Sequence, residues 1–146
     1  MSKIIIGIDP DSKAHGVAIY ENGKLITLCS MELMRLLFDL RAYSASCFDL
    51  TVHIEDVCAN NAAFHKSGVK NARAATAINR SIGKCQQAQI ELERACAWYK
   101  IKVVKHKISS AWKKNKSQFE KITGWTGRSN EDTRSAAYFG WLGLKS

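Results

Sequence analysis

Apolar positions along the chain follow two rhythms. The opening run from Lys3 to Asp9, KIIIGID, is almost continuously apolar, which predicts a strand buried on both faces. It runs straight into an aspartate and then turns at Pro10. An ionised carboxylate at the end of such a strand loses solvation, so it needs a cation, a metal or a place at the sheet's rim. His15 to Tyr20 and Lys24 to Cys29 predict two further strands, and Glu21-Asn22-Gly23 between them carries the Asn-Gly signal of a tight hairpin. Leu50 to Glu55 alternates cleanly: Leu50, Val52 and Ile54 face one way, and Thr51, His53 and Glu55 the other. Ile101 to Lys105 predicts a fifth strand.

Helical spacing governs the remainder. Met31 to Tyr43 repeats Leu33, Leu36, Leu37 and Leu40 on one face, and from Ile82 onward Cys85, Ala88, Leu92, Cys96 and Tyr99 mark another. The stretch from Val57 to Arg80 is polar and basic without a firm period, and reads as a loop with a short helix. Ser109 to Lys121 predicts one or two short helices. Gly124 and Gly127 punctuate a loop, and a last helix runs from about Asn130 to Leu142. Three strands, then helices alternating with strands, make an α/β domain: a mixed five-stranded sheet flanked by helices.

Length and composition bound this picture. The 146 residues are enough for one domain, 1–146, with a single core, and 46% hydrophobic with 24% charged residues is a globular balance. No apolar stretch is long enough to span a bilayer, and the N-terminus enters a strand without an h-region, so an intracellular, cytoplasmic protein is expected. Cys29, Cys47, Cys58, Cys85 and Cys96 are odd in number and contain no C-x-x-C pair; they read as reduced, half-buried residues.

Charge changes the picture more. The formal net charge is +9, and no acidic residue lies between Asp56 and Glu91, a span carrying Lys66, Lys70, Arg73, Arg80 and Lys84. A second basic stretch, Lys100 to Lys121, has Glu120 as its only acid. Such fields attract polyanions, with nucleic acid foremost. Lys66, Lys70, Arg73 and Arg80 are the candidate phosphate contacts.

Against this basic background three acids stand out. Asp9 ends the most apolar strand, Glu55 ends the fourth, and Asp132 lies in the first turn of the last helix. If strands one and four are neighbours, Asp9 and Glu55 emerge together. Ala136, Ala137, Gly140 and Gly143 would let the last helix approach the sheet closely and carry Asp132 towards them. Crowded carboxylates call for a divalent cation, and hard oxygen ligands suit Mg²⁺, with Mn²⁺ as a substitute. A structural alternative exists for Asp132, because Ser129 followed three residues later by an acid is a capping-box pattern. Lys113 and Lys114 are the candidates for stabilising charge on a scissile phosphate.

Three segments resemble a known family. IGIDPDSKAHGVAIY is similar to the first-strand motif of RuvC-type Holliday junction resolvases, VHIEDV to their second acidic motif, and NEDTRSAAYFGW to their C-terminal acidic helix. The order of elements is likewise that of a ribonuclease-H-like domain. The resemblance implies a homodimeric, Mg²⁺-dependent endonuclease on the RNase-H-like fold that nicks four-way DNA junctions in pairs, with Asp9, Glu55 and Asp132 as metal-binding catalytic acids. It departs from the pattern where Ser135 stands three residues after Asp132 in place of a second acid or histidine, leaving Glu131 as a further candidate ligand. In another register Asp132 is itself the second of the pair and Ser129 takes the first slot. Asp11 replaces the usual turn glycine. Cys58 falls where the family often has a junction-splaying aromatic, a role that would pass to Phe64 or His65. Three other readings compete: a nucleotide-binding ATPase-type domain sharing the opening motif, a non-catalytic DNA-binding module, and another RNase-H-like nuclease.

Overall fold

A computed structural model describes residues 2–46, 49–59 and 72–145. Five strands form one sheet: β1 (Lys3–Asp9), β2 (His15–Glu21), β3 (Lys24–Met31), β4 (Asp49–Glu55) and β5 (Lys102–His106). Their order is β3-β2-β1-β4-β5. The first three run antiparallel, whereas β1–β4 and β4–β5 are parallel, so the mixed sheet and the β1–β4 adjacency are as expected. Asn22 and Gly23 both hold positive φ, 49° and 87°, which the hairpin between β2 and β3 requires.

The isoleucine run divides between two layers. Ile4, Ile6 and Ile8 pack with Val17, Val52, Ile54, Leu36, Leu40, Leu92 and Cys96, under helices α1 (Leu33–Ala45) and α2 (Ala72–Trp98). Ile5 joins Ala18, Tyr20, Trp112, Phe119, Ala136 and Ala137 on the opposite face, under α3 (Lys116–Thr123) and α4 (Glu131–Lys145). Burial on both sides explains why β1 needs no polar alternation.

Two expectations change. The segment read as a loop with a short helix contains a short 3₁₀ turn, Val57–Ala59, and from Ala72 it is already α2, 27 residues long. Its first half is largely exposed, so no core imposes an apolar period there. Helix formers such as Ala72, Arg73, Ala74 and Ala77 extend it outward from the packed half. The cap of the last helix is also displaced. Asn130, not Ser129, closes α4: its Oδ1 accepts from the Thr133 amide at 2.9 Å, and its own amide donates to Thr133 Oγ1 at 2.9 Å. Asp132 is thereby free of the capping role.

Candidate active site

Alternation along β1 puts Ile5, Gly7 and Asp9 on the α4 face, and alternation along β4 puts Thr51, His53 and Glu55 on that same face. Ile8 pairs with Ile54 in the parallel register, so Asp9 and Glu55 follow side by side at the carboxyl ends of neighbouring strands. Both are buried, at 6% and 4% exposure. Helix α4 reaches them because the strands beneath it carry glycine. A Cβ on Gly7 would stand 2.0 Å from the Ala136 carbonyl oxygen, and one on Gly16 would stand 2.4 Å from that of Asp132. Gly16 is the cross-strand partner of Asp9, so the backbone of Asp132 lies over the strand beside it.

Electrostatics record this crowding. Burial, then the charge of Glu55, raise the Asp9 carboxyl to about 7; Lys113 and the Ser135 hydroxyl pull it down, and Asp132 pushes it up again. Glu55 is raised too, chiefly by burial, with Lys113 and a backbone hydrogen bond from Ser109 opposing and Asp132 adding. Lys113 Nζ stands 3.8 Å from Asp9 Oδ2. Two buried carboxylate oxygens here, Asp9 Oδ2 and Glu55 Oε2, have no hydrogen-bond partner among the described residues.

Of the residues singled out from sequence, Asp9, Glu55 and Lys113 come together, and Asp132, half-buried, lies within electrostatic reach of both carboxylates. Lys114 turns outward and pairs with Glu131 at the rim, so neither joins the buried group. Arg73 and Arg80 are exposed on α2. Phe64, His65, Lys66 and Lys70 lie outside the described residues. Sequence reasoning missed the Ser109 backbone, Arg134 and the need for Gly16. A glycine inside an apolar strand opposite an aspartate was the available signal for the last.

The donor set fits a hard divalent cation. Two buried carboxylates with an orphaned oxygen each, and a hydroxyl oxygen nearby, are what Mg²⁺ or Mn²⁺ accepts alongside water. Among the described residues, no group of three or more His, Cys, Asp or Glu side chains stands close enough to hold a metal by itself. Water and substrate phosphate would complete the shell, as is usual for Mg²⁺.

No family model matches the sequence, and no curated protein does either. Solved structures do. The chain aligns with Thermus thermophilus RuvC in complex with a Holliday junction substrate over 94% of its length and 90% of that chain, at TM-score 0.54 and 10% identity. A second T. thermophilus RuvC structure aligns over 94% and 91%, at TM-score 0.52 and 11% identity. The chain has the RuvC-like form of the RNase-H-like fold. In this RuvC-like arrangement the acids stand at the carboxyl ends of the two central parallel strands, where α4 crosses the sheet.

Proposed function

We propose that the protein is a divalent-metal-dependent endonuclease that resolves four-way DNA junctions. The observation that carries this reading is the orphaned oxygen on each of Asp9 and Glu55, buried side by side on a protein of net charge +9. Charged carboxylates are not stable in that setting without a cation. Mg²⁺ bound there would polarise the scissile phosphate and lower the pKa of an attacking water. Asp9 and Glu55 would hold it, with Asp132 adding charge or a water-mediated contact. Lys113, next to Asp9, would carry part of the charge that develops on the phosphate oxygens.

The first half of α2 is basic, with Arg73, Arg80 and Lys84 and no acid. A groove of about 440 Å³ lies between the loop after β1 and helix α2, lined by Lys13 and Lys84 together with Asp11 and Glu91. Exposed Arg73 and Arg80 continue that surface along α2, and lysine and arginine contacts of this kind position a phosphate backbone without reading sequence. A homodimer would bring two such sites to a two-fold symmetric junction and give paired nicks.

Cleavage with Mg²⁺ or Mn²⁺ on a panel of branched, duplex and hybrid substrates tests the proposal. Symmetric paired incisions in a four-way junction are expected. Asp9→Asn, Glu55→Gln and Asp132→Asn should each abolish them and still bind junctions, because binding rests on the basic surface. Cutting confined to hybrids or flaps would assign a different RNase-H-like nuclease, and junction binding without cutting a non-catalytic module.

A further inference from the structure

Lys113 does not sit on a strand or a helix. It belongs to the segment between β5 and α3, residues 107–115, which has no regular secondary structure beyond a turn. A catalytic ammonium on such a loop would wander unless something fixed the backbone beneath it. One side chain does so. Arg134, 9% exposed, donates from Nε to the Trp112 carbonyl at 2.9 Å and from Nη2 to the Lys113 carbonyl at 2.6 Å. Its Nη1 donates to Ser129 Oγ at 3.0 Å, tying in the segment before α4. A guanidinium is the one side chain whose rigid fork reaches two successive carbonyls and a third acceptor at once.

The backbone it grips is unusual. Trp112 has φ of +67°, a left-handed conformation that a bulky residue adopts only when its surroundings impose it. Its ring is buried against Phe119, Tyr138 and Trp141, with centroids 5.7, 5.4 and 5.1 Å away, and Arg134 holds its carbonyl. The same loop supplies the Ser109 backbone to Glu55 and the Lys113 ammonium to Asp9. Helix α4 therefore bears, within a single turn, Asp132, Ser135 and the clamp on the loop facing them.

We propose that Arg134 is a positioning residue: it locks the loop through the Trp112 and Lys113 carbonyls and so holds the Lys113 ammonium against Asp9 in the active site. Its catalytic consequence rests on the nuclease reading, whereas its effect on Lys113 does not.

Two readouts test it on the full chain. Trace acetylation followed by mass spectrometry reports the accessibility of each lysine. Both lysines are ion-paired, but Lys113, whose side chain is 30% exposed and whose partner is buried, should label several-fold more slowly than Lys114, 84% exposed and paired at the rim. Arg134→Met, which keeps the apolar stem and removes every donor, should bring Lys113 up to the Lys114 rate. Arg134→Lys, whose single ammonium cannot span both carbonyls and Ser129, should give an intermediate rate, and it decides the matter if the methionine variant fails to fold. Unchanged Lys113 protection in a folded variant overturns the proposal.

The second readout is a double-mutant cycle on junction cleavage. Lys113→Ala should lower kcat by about 10²-fold, the effect typical of losing one charge-stabilising donor, with junction affinity unchanged. Arg134→Met should lower kcat similarly, and the double variant by no more than the larger single effect. Additive losses would mean that Arg134 acts on folding and not through Lys113. If the wild type cuts no branched DNA with any divalent cation, the nuclease reading fails, and the labelling comparison alone decides the role of Arg134.

Discussion

Asp9 concentrates the physics of the site in one carboxyl. Unfolded it titrates near 3.8, and folded near 7, so between those values the folded state keeps a proton that the unfolded state has released. In the metal-free protein this contribution to stability is full below about 3.8 and is lost progressively as the pH climbs from there towards 7, by an amount on the order of a few kcal/mol. His53 works the other way. Burial lowers it to about 4, so the unfolded state gains its proton first as the pH falls. Comparison of Asp9→Asn with wild type isolates the aspartate. In chelator the variant should melt at higher temperature than wild type in mildly alkaline buffer, and that advantage should shrink progressively as the pH falls from about 7 towards about 4. Mg²⁺ should raise the wild-type melting temperature and leave that of the variant nearly unmoved. Equal melting curves for the two proteins across the range would show that Asp9 carries no buried charge.

Among the elements, α4 decides whether a site exists, and glycine decides how close α4 comes. Gly16→Ala places a methyl group 2.4 Å from the Asp132 carbonyl oxygen, with the Thr133 amide nitrogen also close, so the helix end must lift. A loss of about 1–3 kcal/mol in urea unfolding is expected from such overpacking. Cleavage should fall more steeply than stability because Asp132 moves with the helix. Gly83 is the control. It sits in the exposed part of α2, and nothing lies within 4 Å of the place an added methyl group would take. Gly83→Ala should therefore gain about 0.5–1 kcal/mol and leave cleavage alone. The small residues of α4 were legible in the sequence as a sign of close packing. The cap was not, because Ser129 and Asn130 are both good caps and their choice turned on which partner each side chain took within the helix's first turn. Ser129 is held by Arg134, which leaves Asn130 to close the helix with Thr133.

Across the molecule as a whole, charge and shape combine. The packed half of α2 anchors the helix through Leu92, Cys96 and Gln89, whose side chain donates to Asp56 and accepts from the Cys58 amide. The other half carries Arg73 and Arg80 beyond the core. Replacing both arginines by alanine should weaken junction binding and lower the slope of log K against log salt by about one unit for each phosphate no longer neutralised. Thermal stability should stay near that of wild type, because neither side chain is buried. An unchanged slope would move the DNA path to Lys13, Lys84 and the Lys100 to Lys121 stretch.

Local pattern was enough to specify the strands, the hairpin and the two acids at the ends of β1 and β4. Those follow from periods of two and from turn chemistry, which are fixed by steric rules acting over a few residues. The same pattern left α2 too short, since an exposed helix half has no core to write a period into it. The remainder of the site was set by long-range packing. Asp132 comes within electrostatic reach of Asp9 and Glu55 because α4 crosses β1 and β2 at their glycines, and the loop carrying Lys113 is gripped by a buried guanidinium. Both depend on contacts between residues distant in the chain, and the free energy of such contacts comes from packing and desolvation that no local window of sequence contains.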